Sequence, residues 1–206
     1  RNLMKNFKCI CNLGACTCQE FGALGMWYYA ILPSIKSDLT RHEICKPYNS
    51  KYGDNMYDMA VKVGVYDLIK IASYVRLASI SERMLKEIYL SQKIGVKIGR
   101  GDFQRYKFKS NSIYSRYLEI EIDLDSFTRI SEFQKFLQFR HMYAHNSGYV
   151  DEGFIKNMKE IDDSVKFDID HYYPKELDEL NSRISLIDEL IKYIVEQISQ
   201  KNVNSS

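Results

Sequence analysis

The sequence predicts an all-α protein folded as an up-and-down helical bundle. Residues 55–92, 125–146 and 175–200 repeat apolar side chains at spacings of three and four, which is the period of an amphipathic helix. Only 3 Pro and 10 Gly occur among 206 residues, which favours long regular elements. The length and the 45% share of hydrophobic residues suit one domain with a substantial core.

Residues 1–50 form a Cys-rich N-terminal segment, and residues 51–206 form the predicted helical domain. Four thiolates in a C-x-C-x4-C-x-C pattern are candidate zinc ligands, but zinc knuckles usually use C-x2-C. Disulfides would need an oxidising compartment, so partly buried free thiols are the favoured interpretation. The four residues are Cys9, Cys11, Cys16 and Cys18.

The first helical stretch of the domain is predicted to contain two successive helices. The second begins at Ser79, because Ser79-x-x-Glu82 is typical of a capping box. The predicted core positions are Tyr57, Val61, Val65, Leu68, Ala72 and Val75 in the first helix, then Ile80, Met84 and Ile88.

Residues 93–109 are basic and aromatic, with Asp102 as their single acid. Such a segment can follow a phosphate backbone while its rings, Phe103, Tyr106 and Phe108, stack on bases. A solvated surface loop or hairpin is the alternative. The candidate RNA-binding residues are Lys97, Arg100, Arg105, Lys107 and Lys109.

Residues 118–124 alternate apolar and acidic side chains, which is the period of a half-buried strand. Together with the basic segment before them, they predict a small β-hairpin inserted between helices near residues 95–124.

No other apolar helix of the chain carries as many polar and ionisable side chains as the stretch Arg140–Gly148. On a helical wheel, Arg140 falls inside a face that it shares with apolar residues, and His141 and His145 lie at its edge. A desolvated guanidinium costs several kcal/mol, so it should meet a carboxylate, a phosphate or a partner chain. The apolar residues of this face are Ile130, Phe133, Leu137 and Ala144. The helix should end at Asn146-Ser147-Gly148, because glycine accepts the positive φ of a C-terminal cap.

The C-terminal part predicts a short helix over residues 154–161 and then a long amphipathic helix. Pro174 suits the first turn of the long helix. Its heptad pattern suits a bundle core or a dimer seam. The repeating apolar residues are Leu177, Leu180, Ile184, Ile187, Ile191, Ile194 and Ile198.

Arg140-x4-His145 at the end of an amphipathic helix, followed by Asn-Ser-Gly, resembles the R-x4-6-H signature of the HEPN superfamily. The resemblance spans roughly residues 55–200 and implies a HEPN-like helical bundle. Three features depart from the family pattern: His141 stands where Asn or Asp is usual, the predicted strand is extra, and the Cys-rich segment has no counterpart. The chain contains no Walker loop, no G-x-G-x-x-G, no H-E-x-x-H and no G-x-S-x-G.

This resemblance implies a metal-independent endoribonuclease without a cofactor, acting as a toxin or as an anti-phage or stress effector. Such enzymes work as homodimers that pool their Arg and His residues, in some cases with an antitoxin or defence-complex partner. Arg140 would hold the scissile phosphate, and His145 would move a proton to or from RNA. Asn146 and His141 would orient these groups. The expected products are a 2′,3′-cyclic phosphate and a 5′-OH.

Several alternatives remain open at the level of the sequence. The chain could be a non-catalytic HEPN-like module for dimerisation, partner binding or RNA binding. Arg140 could only pair with a carboxylate, His145 could only interact with the helix dipole, or His141 and His145 could chelate zinc with a third ligand. On an ideal helix Arg140 and His145 point about 140° apart, so a dimer or a loosened last turn is needed.

The sequence also predicts a cytoplasmic protein with no membrane segment. The net charge of +2 selects no partner class, and the longest apolar run, residues 21–32, is too short to cross a bilayer. The first residue is Arg1 rather than Met, and the sequence leaves open whether residues precede it.

Overall fold

The computed structural model describes residues 65–93, 95–99, 101–107, 111–174, 176 and 179–204. These residues contain five α-helices and one 3-10 turn: α1 (Val65–Gln92), α2 (Ile113–Leu118), the 3-10 turn (Leu124–Ser126), α3 (Ile130–Asn146), α4 (Glu152–Ile161) and α5 (Leu180–Asn204). Within them, β-pairing is limited to an isolated antiparallel bridge between Tyr149 and Tyr172. The all-α prediction is confirmed for this part of the chain.

Several predictions concern residues outside the described part of the chain. They include the Cys-rich segment 1–50 with Cys9, Cys11, Cys16 and Cys18, and the start of the first helix. Arg100, Lys109 and Leu177 also lie outside it. Among the described residues, no helix is both long enough and apolar enough to span a bilayer.

Helix α3 is the centre of the core and contacts α1, α4 and α5. Tyr74 of α1 places its ring centroid 5.1 Å from those of both Phe136 and Tyr143. On another side of α3, the Phe139 ring lies 5.3 Å from Phe154 of α4. Rings in such tilted and edge-on contacts add stability beyond the apolar area that they bury. The aromatic residues of α3 therefore join its neighbours into one core.

Helix α1 is continuous from Val65 to Gln92, so the prediction of a second helix starting at Ser79 is wrong. The Ser79 hydroxyl donates to the Val75 carbonyl oxygen at 2.9 Å, within the helix, rather than capping a new one. Ile80 and Met84 are buried as predicted, whereas Ala72 is exposed. The capping-box pattern fails here because burial on both sides of Ser79 favours one uninterrupted helix.

The strand predicted over residues 118–124 is also wrong. Residues 113–118 form α2, Glu121 has a φ of 58°, and a 3-10 turn begins at Leu124. Ile122 and Leu124 are buried while Glu121 and Asp123 are exposed. The alternating pattern therefore reflects real alternating burial, but along a turning backbone without a partner strand. The described residues of 95–124 contain no hairpin.

The segment 95–107 is an irregular loop held by buried anchors. Phe103 and Tyr106 are each 1% exposed, and the Asp102 carboxylate forms an ion pair with Arg116 of α2 at 2.9 Å. The Tyr106 hydroxyl donates to Asp125 at 2.6 Å. Phe103 and Tyr106 are therefore core residues, and the expectation that their rings stack on bases is wrong.

Helix α5 carries the apolar face that its heptads predict. Ile187, Ile191 and Ile194 are buried, and so are Leu186 and Leu190 beside them. A buried stripe wider than a coiled-coil seam indicates that this helix packs in the bundle core.

A buried ion network joins α5 to the rest of the bundle. Arg183 is 8% exposed and donates to Glu176, whose side chain is 6% exposed, and to Glu179 at 3.0 Å. The Tyr74 hydroxyl donates to the same Glu176 carboxylate at 3.1 Å. Arg183 also lies 3.5 Å from Glu132 of α3. The Arg183 guanidinium is therefore paired with three carboxylates, two from the segment before α5 and one from α3.

We expect Arg183→Ala to lower the free energy of unfolding by about 3–5 kcal/mol, because it leaves the buried Glu176 carboxylate without its cation. The measurement is urea unfolding followed by circular dichroism. Lys192→Ala is the control, since its exposed pair with Asp188 should contribute less than about 1 kcal/mol. Equal losses for the two variants would contradict a stabilising role for the network.

Helix α3 ends in two consecutive residues with positive φ, Ser147 at 52° and Gly148 at 91°. The prediction of a cap at this point is confirmed, with Ser147 as the left-handed residue that directly follows the helix. A Cβ on Gly148 would lie 2.7 Å from the ring of Tyr172. Position 148 therefore requires glycine for two independent reasons.

We expect Gly148→Ala to destabilise the protein by about 2–5 kcal/mol, through the strained φ and the contact with Tyr172. Gly95→Ala is a matched control: Gly95 has a φ of 82°, but a Cβ there meets nothing within 4 Å. Thermal unfolding of both variants separates the cost of the strained φ from the cost of the contact with Tyr172. If both variants lower the melting temperature equally, the contact with Tyr172 does not contribute to the destabilisation.

Candidate functional site

The last two turns of α3 present a guanidinium and two imidazoles at the surface. Arg140 is half-buried, and His141 and His145 are exposed. The two imidazole centroids lie 4.5 Å apart with their planes tilted by 48°. Ala144, expected on the apolar face, is exposed instead. Arg140 thus lies at the border of the core rather than inside it, because the apolar face of α3 narrows toward its end.

Arg140 lies next to Glu82, a half-buried residue of α1. Burial raises the pKa of the Glu82 carboxyl, and the positive charge of Arg140 and a hydrogen bond from Gln104 oppose this rise. Within the described part of the chain, Arg140 forms no ion pair or hydrogen bond through its side chain. The nearby carboxylate therefore holds Arg140 electrostatically without occupying its donors, which leaves them able to bind an anion.

The basic loop brings Arg105 to the same place. The pKa of His141 is lowered by partial desolvation first, then by the positive charges of His145, Arg140 and Arg105, and Asp151 opposes the shift. Two basic groups from α3 and one from the loop therefore act on the His141 imidazole. The lowered pKa favours the neutral form of the His141 imidazole, which can accept a proton.

Asp151 ties the end of α3 to the start of α4. One of its carboxylate oxygens accepts from the Phe154 amide at 2.6 Å, as the N-cap of α4, and the other accepts from the Asn146 side-chain amide. Asn146 is therefore held in place by a protein group. Asn146 would therefore orient the neighbouring Arg and His side chains indirectly, through the turn that its hydrogen bond to Asp151 fixes.

The predicted RNA-binding residues divide into three groups. Arg105 lies beside His141, and Lys97 is exposed on the same loop. Lys107 forms an ion pair with Asp125 and lies 4.8 Å from the Tyr114 ring centroid, so it belongs to a packed cluster. Arg100 and Lys109 lie outside the described residues.

Local sequence patterns do not identify Glu82, Gln104 and Asp151 as members of this site. Glu82 fits a capping box, but it lies on a different face of α1 from the buried Met84. That position is a signal for a second role. Asp151 had a usable signal, since Asp before a helical stretch is a common N-cap. Gln104 has no local sequence signal, because its position in the site depends on how the loop packs.

In the part of the chain that the structure describes, no group of three or more His, Cys, Asp or Glu residues is arranged to hold a metal ion. The chain was also compared with protein-family models, with curated proteins and with solved structures, and no match was found in any of the three. The HEPN resemblance rests on the Arg140–Gly148 motif alone.

We expect His141 to titrate below the usual histidine pKa of about 6.5. Arg105→Ala should raise the pKa of His141, because it removes a charge that opposes protonation. Asp151→Asn keeps the helix cap but removes the favourable anion, so it should lower this pKa further. NMR titration of the imidazole resonances measures both shifts.

Lys159→Ala is the control for this titration. Lys159 lies eight residues along α4 from Asp151, about 12 Å away on the helix axis, where salt screens its charge. An unchanged His141 pKa in Arg105→Ala would contradict the proximity of the loop to the end of α3.

Proposed function

We propose that this chain is a metal-independent endoribonuclease of the HEPN type. The observation that carries the proposal is that Arg105 of the loop and Arg140 of α3 both act electrostatically on the exposed imidazole of His141. Two guanidinium groups form a site for a phosphodiester, and within the described residues neither is engaged in an ion pair. A neutral histidine beside them supplies the base that such a substrate needs.

RNA carries its own nucleophile, the ribose 2′-OH. In the proposed reaction a histidine removes the 2′-OH proton, the oxygen attacks phosphorus, and the 5′-oxygen leaves with a proton from a second histidine. His141 is assigned as the base, because its lowered pKa favours the unprotonated form that can accept the proton, and His145 is assigned as the acid. Arg140 and Arg105 stabilise the charge that builds on the phosphoryl oxygens. The products are a 2′,3′-cyclic phosphate and a 5′-OH.

The proposed reaction favours a homodimer. In-line displacement places the base and the acid on opposite sides of phosphorus, whereas His141 and His145 of one chain lie side by side, 4.5 Å apart. Helix α3 is regular to Asn146, so no loosened turn separates them. Two chains related by a two-fold axis would supply the two histidines from opposite sides.

As a cellular role, we propose that the chain is a toxin or an anti-phage or stress effector in the cytoplasm. An antitoxin or a defence complex would then control it. Overexpression should arrest growth, and His145→Ala should relieve the arrest. This role is separate from the chemistry, because a housekeeping ribonuclease could use the same residues.

We expect purified protein to cleave cellular RNA in the presence of EDTA. His145→Ala should reduce the rate about 10²–10⁴-fold by removing a proton-transfer group. Arg140→Ala should reduce it about 10²–10³-fold by removing transition-state charge stabilisation. The assay follows RNA fragmentation with time and maps the new ends for 2′,3′-cyclic phosphate.

Lys159→Ala, which removes an exposed cation from α4, is the control and should cleave like the wild type. Circular dichroism should show that all variants fold. If the wild type is inert in EDTA, and inert again with added zinc or magnesium, the nuclease proposal fails. A non-catalytic module for dimerisation, partner binding or RNA binding, with Arg140 held beside Glu82 for structural reasons, would then replace it.

A further inference from the structure

Tyr149 and Tyr172 form an aromatic surface immediately after α3. Tyr149 is 52% exposed, and its ring centroid lies 5.5 Å from that of Tyr172 at a tilt of 46°. Large apolar side chains with more than two-fifths of their surface exposed are rare in the described residues, the others being Leu118 and Ile169. Tyr149 is the aromatic member of this group.

This aromatic surface is rigidly held by the backbone around it. The Val150 amide donates to the His171 carbonyl at 3.1 Å, and the Tyr173 amide donates to the Gly148 carbonyl at 2.9 Å. The Tyr172 ring fills the space that a side chain at position 148 would take. A ring presented on such a frame can receive a flat ligand at little cost in conformational entropy.

The aromatic surface directly follows the candidate site along the backbone. The Tyr149 amide donates to the Asn146 carbonyl at 2.9 Å, so Tyr149 is fixed to the residue that follows His145. Asp151, two residues further along the chain, is one of the charges that act on His141. The exposed ring is therefore attached to the backbone turn that directly follows the basic residues of α3.

We propose that Tyr149, backed by Tyr172, is a stacking subsite for a nucleobase of single-stranded RNA next to the scissile phosphate. Only the position of the subsite next to a cleaved phosphate rests on the proposed nuclease function, because base stacking would also serve an RNA-binding module. It assigns the two components of single-strand recognition to different elements: cations from α3 and the loop, and a ring from the turn before α4.

This assignment replaces the one that the sequence suggested. Phe103 and Tyr106 interleave with cations in the basic loop, but both are fully packed in the core. A base therefore cannot reach them. Tyr149 supplies an exposed π-face just after the end of α3, in a segment that shows no basic pattern of its own.

The test is binding of an oligonucleotide that cannot be cleaved. The probe is a mixed-sequence single strand with 2′-O-methyl riboses, which lacks the nucleophilic 2′-OH, and it is compared with an abasic strand of equal length. Fluorescence anisotropy at fixed salt measures affinity for the wild type, Tyr149→Ala, Tyr149→Phe and Leu118→Ala. The last variant is a control that truncates another exposed apolar side chain, on α2.

We expect Tyr149→Ala to weaken binding of the base-bearing strand roughly 5- to 150-fold, the usual loss for one stacked base. Tyr149→Phe should bind within about twofold of the wild type, because the ring is retained. Leu118→Ala should also bind like the wild type. The abasic strand should bind the wild type and Tyr149→Ala equally.

Three results would overturn the stacking subsite: wild-type affinity in Tyr149→Ala, an equal loss in Tyr149→Phe, or an equal loss for the abasic strand. Cleavage of unmodified RNA is scored separately. A protein that cleaves RNA but is indifferent to Tyr149→Ala keeps the nuclease function and loses the subsite. A protein that binds through Tyr149 but never cleaves keeps the subsite and loses the nuclease function.

Discussion

The buried pairing of Arg183 with Glu176 is the constraint on which the rest of the bundle depends. Neither charge can be left alone in the core, so α5 and the segment before it must stay in register. The same Glu176 carboxylate accepts from Tyr74, whose ring packs between Phe136 and Tyr143. One ionic interaction thereby sets the position of α1 against α3. The neighbourhood of Arg140 follows from that alignment.

Helix α3 changes from buried to solvent-exposed along its length, and the candidate site lies at its exposed end. Its middle is aromatic and buried on three sides, whereas its last turns carry Arg140, His141 and His145 at the surface. The site therefore rests on the most tightly packed element of the protein, while its polar groups remain accessible. Asp151 extends this support past the end of the helix by joining it to α4.

The sequence predicted the helices better than it predicted the way they meet. Helical periodicity located α3 and α5, because burial of one face is a local pattern. The same approach failed at Ser79 and over residues 118–124, where capping and alternation patterns were overridden by packing. It located Arg140 and the histidines by their place on a helix. Glu82 and Arg105 joined them only through tertiary contacts, which no local spacing encodes.

The loop that carries Arg105 has a consequence for how fast an anion could be captured. Tyr106, the residue after Arg105, is anchored in the core and hydrogen-bonded to Asp125. The loop backbone is thus already in its final shape before any ligand arrives. An anion that binds the proposed site would then need no slow rearrangement of this loop, and long-range attraction by the nearby cations would set its association rate. Such a rate should fall steeply as ionic strength rises, whereas the dissociation rate should depend on it much less.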